Sequence, residues 1–224
     1  MKLTKERFIR DFTAIKELAF HYFESDQVDK CAETISVLCR IGYETNIVYT
    51  DEEIEGLLLK ISNGIVPKEN TQKKTVSKRW VFYDSFGWDN RGLTQQYLRA
   101  LKSWDVEILF IFENYNENLS RDIYEELIDY GAEIYCVDRN LVFNEKVLNI
   151  HSKIVEFSPS KAFLHFSPWT VVGFVVWNSL DFIDRYFINL TDHAFWIGKN
   201  TFDHCIEFRN YGYTISKLQR DISD

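Results

Sequence analysis

The sequence predicts an α/β fold in which a parallel sheet is covered by helices on both faces. Three observations carry this expectation. From residue 79 onward, short apolar runs alternate with helix-patterned stretches. The runs are apolar on both faces rather than alternating, as strands sandwiched between helices are. Only three prolines and nine glycines occur in 224 residues, too few for a turn-rich all-β chain.

Ahead of the sheet, residues 1–66 read as a small helical region. Phe8, Phe12, Ile15, Leu18, Ala19 and Tyr22 recur at helical spacing and predict a helix over 5–24. Ser25 and Asp26 offer an N-cap for a second helix with the stripe Val28, Cys31, Ile35, Leu38 and Cys39, ending near Gly42. Thr50 and Glu53 form a capping-box pattern that opens a third helix through Ile54, Leu57, Leu58 and Ile61. No repeat of about 34 residues recurs, so the helices are not a repeat array. Residues 67–78 read as a polar linker carrying Lys68, Lys73, Lys74 and Lys78.

Strands are then predicted over 79–83, 106–112, 133–137, 162–165, 186–190 and, more briefly, 204–208. The helices between them are predicted over 92–103, 120–130, 143–157 and 168–180, the last with Ser167 as cap and Pro168 in the first helical position. Together these make a Rossmann-like, doubly wound sheet of about six strands over residues 79–224.

The length suits one large domain or a moderate domain with an appendage, and an aromatic content of 16% predicts a ring-rich core. A net charge of −8 argues against a nucleic-acid binder, which needs a basic face. The longest apolar run, near Trp169–Trp177, is too short for a transmembrane segment, and no signal-peptide pattern opens the chain. Cys31, Cys39, Cys136 and Cys205 form no C-x-x-C pair and read as free thiols. A cytoplasmic setting is therefore expected.

Candidate chemistry gathers where strands end, because open α/β sheets bind ligands at their carboxyl edge. The loop after the first strand holds Trp88, Asp89, Asn90, Arg91 and Gly92, a flat ring plus polar forks suited to a carbohydrate. It has no G-x-G-x-x-G pattern and no phosphate-loop lysine follows it. His165, after the fourth strand, reads either as a packed core histidine or as a cleft wall. Thr191, Asp192 and His193 follow the fifth strand: His193 suits a base or a donor to a sugar or phosphate oxygen, Asp192 suits its orienter, and Trp196 adds a ring. Arg209 is expected to pair with Glu207 or Asp203. No G-x-S-x-G elbow supports a serine hydrolase, and the His and Asp residues are too scattered to predict a metal site.

Two motifs carry a resemblance over residues 79–220. Asn189-Leu-Thr-Asp-His-Ala-Phe-Trp-Ile-Gly198 and Glu207-Phe-Arg-Asn-Tyr-Gly212 with Ser216 resemble segments of the N-terminal, acceptor-side domain of bacterial GT-B-fold glycosyltransferases. The resemblance implies a hexosyltransferase type of activity in polysaccharide biosynthesis, moving a sugar from a nucleotide-sugar donor to a glycan or lipid-linked acceptor. It implies that His193 contacts the donor sugar and that the loop from Gly87 to Gly92 faces the diphosphate. It also implies that neither metal nor cofactor is required, and that the nucleotide-sugar domain lies outside this sequence, leaving the chain inactive alone. The competing expectation is a non-catalytic α/β scaffold whose helical head docks a partner protein.

Overall fold

The computed structural model describes residues 4–66, 75–87 and 92–222. Three helices come first: α1 (Lys5–Glu24), α2 (Val28–Thr45) and α3 (Glu52–Ile65). Then β1 (Val76–Asp84), α4 (Leu93–Lys102), β2 (Glu107–Phe112), α5 (Arg121–Asp129) and β3 (Glu133–Cys136) alternate. The second half continues with α6 (Phe143–Phe157), β4 (Pro159–His165), α7 (Val171–Trp177), β5 (Asp184–Ile188), β6 (His204–Ile206) and α8 (Asn210–Gln219). All six strands are parallel, in the order β3-β2-β1-β4-β5-β6. The chain thus winds outward from β1 in one direction, then returns to lay β4 on its other side. The order reverses between β1 and β4, and this switch point opens a crevice at the carboxyl edge.

The two-residue period of a strand explains why the core has two halves. Val81 and Tyr83 of β1 face one side with Leu109, Ile111, Ala162, Leu164 and Phe187, against α6, α7 and the helical head. Phe82 faces the other side with Phe110 and Phe112, against Leu98 and Leu101 of α4 and Ile123 and Leu127 of α5. Strands apolar on both faces are the consequence.

The helical head is not an appendage. Ile35, Leu38, Ile54 and Leu58 are fully buried in the same core as the sheet residues. Polar ties reinforce the packing: the Ser62 hydroxyl donates to the Val175 carbonyl (2.8 Å), and Asp29 accepts the Phe143 N–H at the start of α6 (2.9 Å). The Glu55 carboxylate accepts the N–H groups of Gly198 (2.6 Å) and Lys199 (3.1 Å), fastening α3 to the loop after β5. Burial pushes the Glu55 carboxyl up to about 7, against the lowering pull of those two N–H groups.

Several local expectations need correction. The third helix is capped by Asp51, whose carboxylate accepts the Glu53 and Ile54 N–H groups (both 3.1 Å), and not by Thr50. The second begins at Val28 after Gln27, with no side-chain cap from Ser25 or Asp26. The helix expected from Pro168 starts at Val171, because the Thr170 hydroxyl caps the Gly173 N–H (3.3 Å) and leaves Ser167 and Pro168 in the preceding turn. The expected linker at 67–78 gives way to β1 from Val76 onward, where Val76 N–H already pairs with the Ser158 carbonyl (2.8 Å). Residues 67–74 lie outside the described part. No helix among the described residues is long and apolar enough to cross a membrane.

Two outcomes are expected. Leu58→Ala should cost about 2–5 kcal/mol, and helix and tertiary signals should still be lost in one transition; separate transitions would mean that head and sheet fold apart. Because folding raises the Glu55 pKa from an ordinary 4.5 to about 7, the native state holds its proton over that interval and stability falls as pH rises. Urea unfolding at pH 5 and pH 8 should show this loss, and Glu55→Gln should flatten it.

Candidate functional site

The carboxyl ends of β1, β2 and β4 carry a polar network at the switch point. Asp84, the last residue of β1, is fully buried, and so is His165, the last residue of β4. Their side chains meet at 2.9 Å, Nδ1 to Oδ1. Asp84 also accepts the N–H groups of Phe86 and Gly87 (each 3.2 Å), so both carboxylate oxygens act as acceptors and the His165 Nδ1 carries the hydrogen. Strand register places the two residues side by side. The backbone repeats the tie, with Ser85 N–H donating to the His165 carbonyl (3.1 Å) and Ser167 N–H to the Ser85 hydroxyl oxygen (2.6 Å).

This network sets the loop after β1. Gly87 has φ +69°, and a β-carbon there would stand 1.8 Å from the Asn114 carbonyl oxygen, so only glycine fits. The Asn114 side chain in turn donates to the Ser85 carbonyl (2.8 Å), joining the β1 and β2 loops.

Above the network lies a cleft of about 580 Å³. Its floor includes Ser85, Glu113, Asn114, Ser167 and Thr170 from the strand ends. One wall is the head, where Asp29, Glu33, Ser36 and Arg40 share one face of α2, and the opposite rim holds Arg139, Leu141 and Lys146. The Trp169 ring adds a flat apolar surface, with the Arg40 guanidinium 4.5 Å from its centre. Glu113 is the titratable group of the floor. It accepts from the Tyr83 hydroxyl (2.6 Å) and from the Thr170 hydroxyl. Burial pushes its carboxyl up to about 7, and neighbouring Asp84 adds to the rise against those two donors.

The residues predicted after β5 divide. His193 is half exposed, its Nδ1 3.3 Å from Asp192 Oδ1. Its ring meets Tyr43 (6.2 Å between centres), and Tyr43 meets Trp169 (5.7 Å), so one intervening ring separates His193 from the Trp169 wall of the cleft, which His193 itself does not line. Asp192 is buried and clamped by Arg209, whose Nε donates to Oδ2 at 2.8 Å. Burial alone would raise the Asp192 carboxyl, but bonds from Arg209 and His193 outweigh it and hold the group below its ordinary value. A carboxylate so held orients the histidine and is a poor base itself. Arg209 therefore pairs with Asp192, and not with Glu207 or Asp203 as expected. Asp203 pairs with Arg185, and Glu207 accepts from Asn189 and Ser216.

Three predicted ligand contacts are corrected. Trp196 is only 2% exposed, packed on Phe187 and Phe202 with the Arg220 guanidinium 4.6 Å from its ring. Thr191 is buried, its N–H bound by the Asn189 side chain (3.2 Å). His165 is a pillar beneath the β1 loop, enclosed by Phe82, Phe86 and Tyr97, and not a wall of the cleft. Arg220, at the end of α8, anchors the 191–194 turn by donating to the carbonyls of Ala194 (2.6 Å) and Asp192 (3.2 Å). Gly92 begins α4 with φ +81°, while Trp88, Asp89, Asn90 and Arg91 lie outside the described residues. Among the described residues no group of three or more His, Cys, Asp or Glu is placed to hold a metal.

Sequence reasoning missed Asp84 as a structural anchor and missed Glu113, Arg40, Arg139, Lys146 and Thr170 altogether. An acidic residue closing or following an apolar strand was a readable signal for Asp84 and Glu113. Compared with protein-family models, with characterised proteins and with solved structures, the chain matches none.

Asp84→Asn should cost about 1–3 kcal/mol, because an amide would turn a donor toward N–H groups that need an acceptor. Chemical denaturation measures this; an unchanged midpoint would mean that the pair does not hold the two strand ends.

Proposed function

We propose that the chain is the acceptor-side half of a nucleotide-sugar-dependent glycosyltransferase, its cleft holding a glycan or lipid-linked acceptor. The observation that carries this reading is the cleft at the switch point, lined by the Trp169 ring and by carboxylate, amide and hydroxyl groups. Rings that cover a sugar's apolar face beside groups that bond its hydroxyls suit a carbohydrate. The motif resemblance around residues 189–216 supports the same reading, and His193 lies one ring, Tyr43, away from the Trp169 wall of the cleft. The competing scaffold reading asks the helical head for a free docking face, yet most of its apolar residues are spent on the chain's own core and only Ile9, Leu18, Val37 and Leu59 stand exposed among its described large apolar side chains.

In this mechanism the two halves of the reaction meet at the rim. Negative charge builds on the departing diphosphate, and positioned N–H donors stabilise it. His193, oriented by Asp192, contacts the transferred sugar. Glu113 takes the proton from the acceptor hydroxyl, a role its raised pKa suits near neutral pH. A second domain supplies the nucleotide site, and the setting is cytoplasmic, where nucleotide sugars are made available to the enzyme.

The test uses the native gene product with a panel of nucleotide sugars. His193→Ala should lower turnover at least 100-fold with an unchanged melting temperature. The wild-type rate should rise with pH through about 7 as Glu113 loses its proton, and Glu113→Gln should abolish that rise. Full turnover in both variants would refute the assignment.

A further inference from the structure

The cleft holds an unusual charge arrangement for so acidic a chain. Three cationic side chains line it: Arg40 from α2, Arg139 from the segment after β3, and Lys146 from α6. The chain as a whole carries −8, and many cations elsewhere are tied to carboxylates, such as Lys16 to Asp51, Lys153 to Glu133 and Arg185 to Asp203. Among the described residues, the three cleft cations form no direct ion pair, although Lys146 lies near enough to Glu113 for its charge to favour the carboxylate. Arg40 lies over the Trp169 ring, and Arg139 donates to the backbone carbonyls of Asn114 (3.5 Å) and Tyr115. The cleft carboxylates are engaged in other ways or exposed. Asp29 accepts from the start of α6, Glu113 accepts from Tyr83 and Thr170, and Glu33 is exposed. On the floor, the Ser167 hydroxyl is buried, 2% exposed, and without a partner. The buried Ser167 hydroxyl costs free energy unless a ligand satisfies it, while Arg40 and Arg139 are exposed and Lys146 is half-buried, so all three are open to an anion that enters the cleft.

We infer that the cleft recognises an oxyanion carried on a sugar-like body, a phosphate or a carboxylate, with Arg40, Arg139 and Lys146 supplying the charge-assisted donors and Ser167 a neutral one. Guanidinium groups suit the flat or forked oxygens of such anions, and an ammonium adds a point charge. This rests on the acceptor reading and sharpens it: the acceptor is anionic.

Isothermal titration calorimetry of the chain with four probes tests the inference: glucose 1-phosphate, glucuronate, glucose and inorganic phosphate. Glucose 1-phosphate or glucuronate should bind at least tenfold tighter than glucose and than inorganic phosphate, and the affinity should fall as salt is raised. The double variant Arg40→Gln with Lys146→Gln should lose that preference at least tenfold while its melting temperature stays within a few degrees. If the variant fails to fold, the salt dependence of the wild-type preference decides alone. Glucose binding as tightly as the charged sugars, with no response to salt, would overturn the anionic acceptor and leave the acceptor reading standing. Inorganic phosphate binding as tightly as the sugar phosphate would overturn recognition of a sugar-borne anion. Binding of none of the four would overturn both readings.

Discussion

The buried pairing of Asp84 with His165 is the constraint from which the rest of the site follows. It joins the carboxyl ends of β1 and β4 at 2.9 Å, at the one place in the sheet where strand order reverses. A buried carboxylate is tolerated only where its oxygens are satisfied. Here the two N–H groups at Phe86 and Gly87 and the imidazole supply three donors. Satisfying Asp84 therefore dictates the course of the chain just beyond β1. That course brings Gly87 against the β2 loop at Asn114, which leaves the cleft floor with one arrangement.

The helical head completes what the sheet begins. A doubly wound sheet alone offers an open crevice at its carboxyl edge. Packing α2 beside α6 and α7 walls that crevice and brings Arg40 over Trp169. The same packing brings Tyr43 between Trp169 and His193, so the turn after β5 is tied through that ring to the cleft wall. That turn is fixed from below by Arg220 and from the side by Arg209. Two buried or half-buried acids with carboxyls near 7, Glu55 under the turn and Glu113 in the floor, bracket the site. Protonation near neutral pH therefore touches both the scaffold and the cleft.

Much of this was legible in the sequence, and the rest was hidden for physical reasons. The central strands were readable because burial on both faces forces runs such as Ile108–Phe112 to be continuously apolar, and the less buried edge strands β3 and β6 followed from their place in the alternation. The helix Phe143–Phe157 was readable to its ends, since its pattern is long and strongly periodic. Caps were less legible. Thr50 and Asp51 are both good cap residues, as are Ser167 and Thr170, and only the tertiary path decides which hydroxyl or carboxylate turns back. The contact between His193 and Asp192 was readable because the two are adjacent just after a strand. Arg40, Glu113, Arg139 and Thr170 come from four separate elements, and no local spacing joins them. Trp196 was misplaced because an aromatic after a polar turn looks the same in sequence whether it faces a ligand or the core.

The central claim is that ligand recognition belongs to the cleft at the β1–β4 switch point. Amide chemical-shift mapping of the chain titrated with a sugar phosphate tests it most directly. The account predicts perturbations concentrated at residues 85–87, 113–116, 139–146 and 167–172, with a weaker response at His193. A second crevice of about 620 Å³ lies beside β6 and α8, lined by Asp203, His204, Glu207 and Tyr213. Perturbations confined to those residues, with the switch-point loops unmoved, would contradict the account.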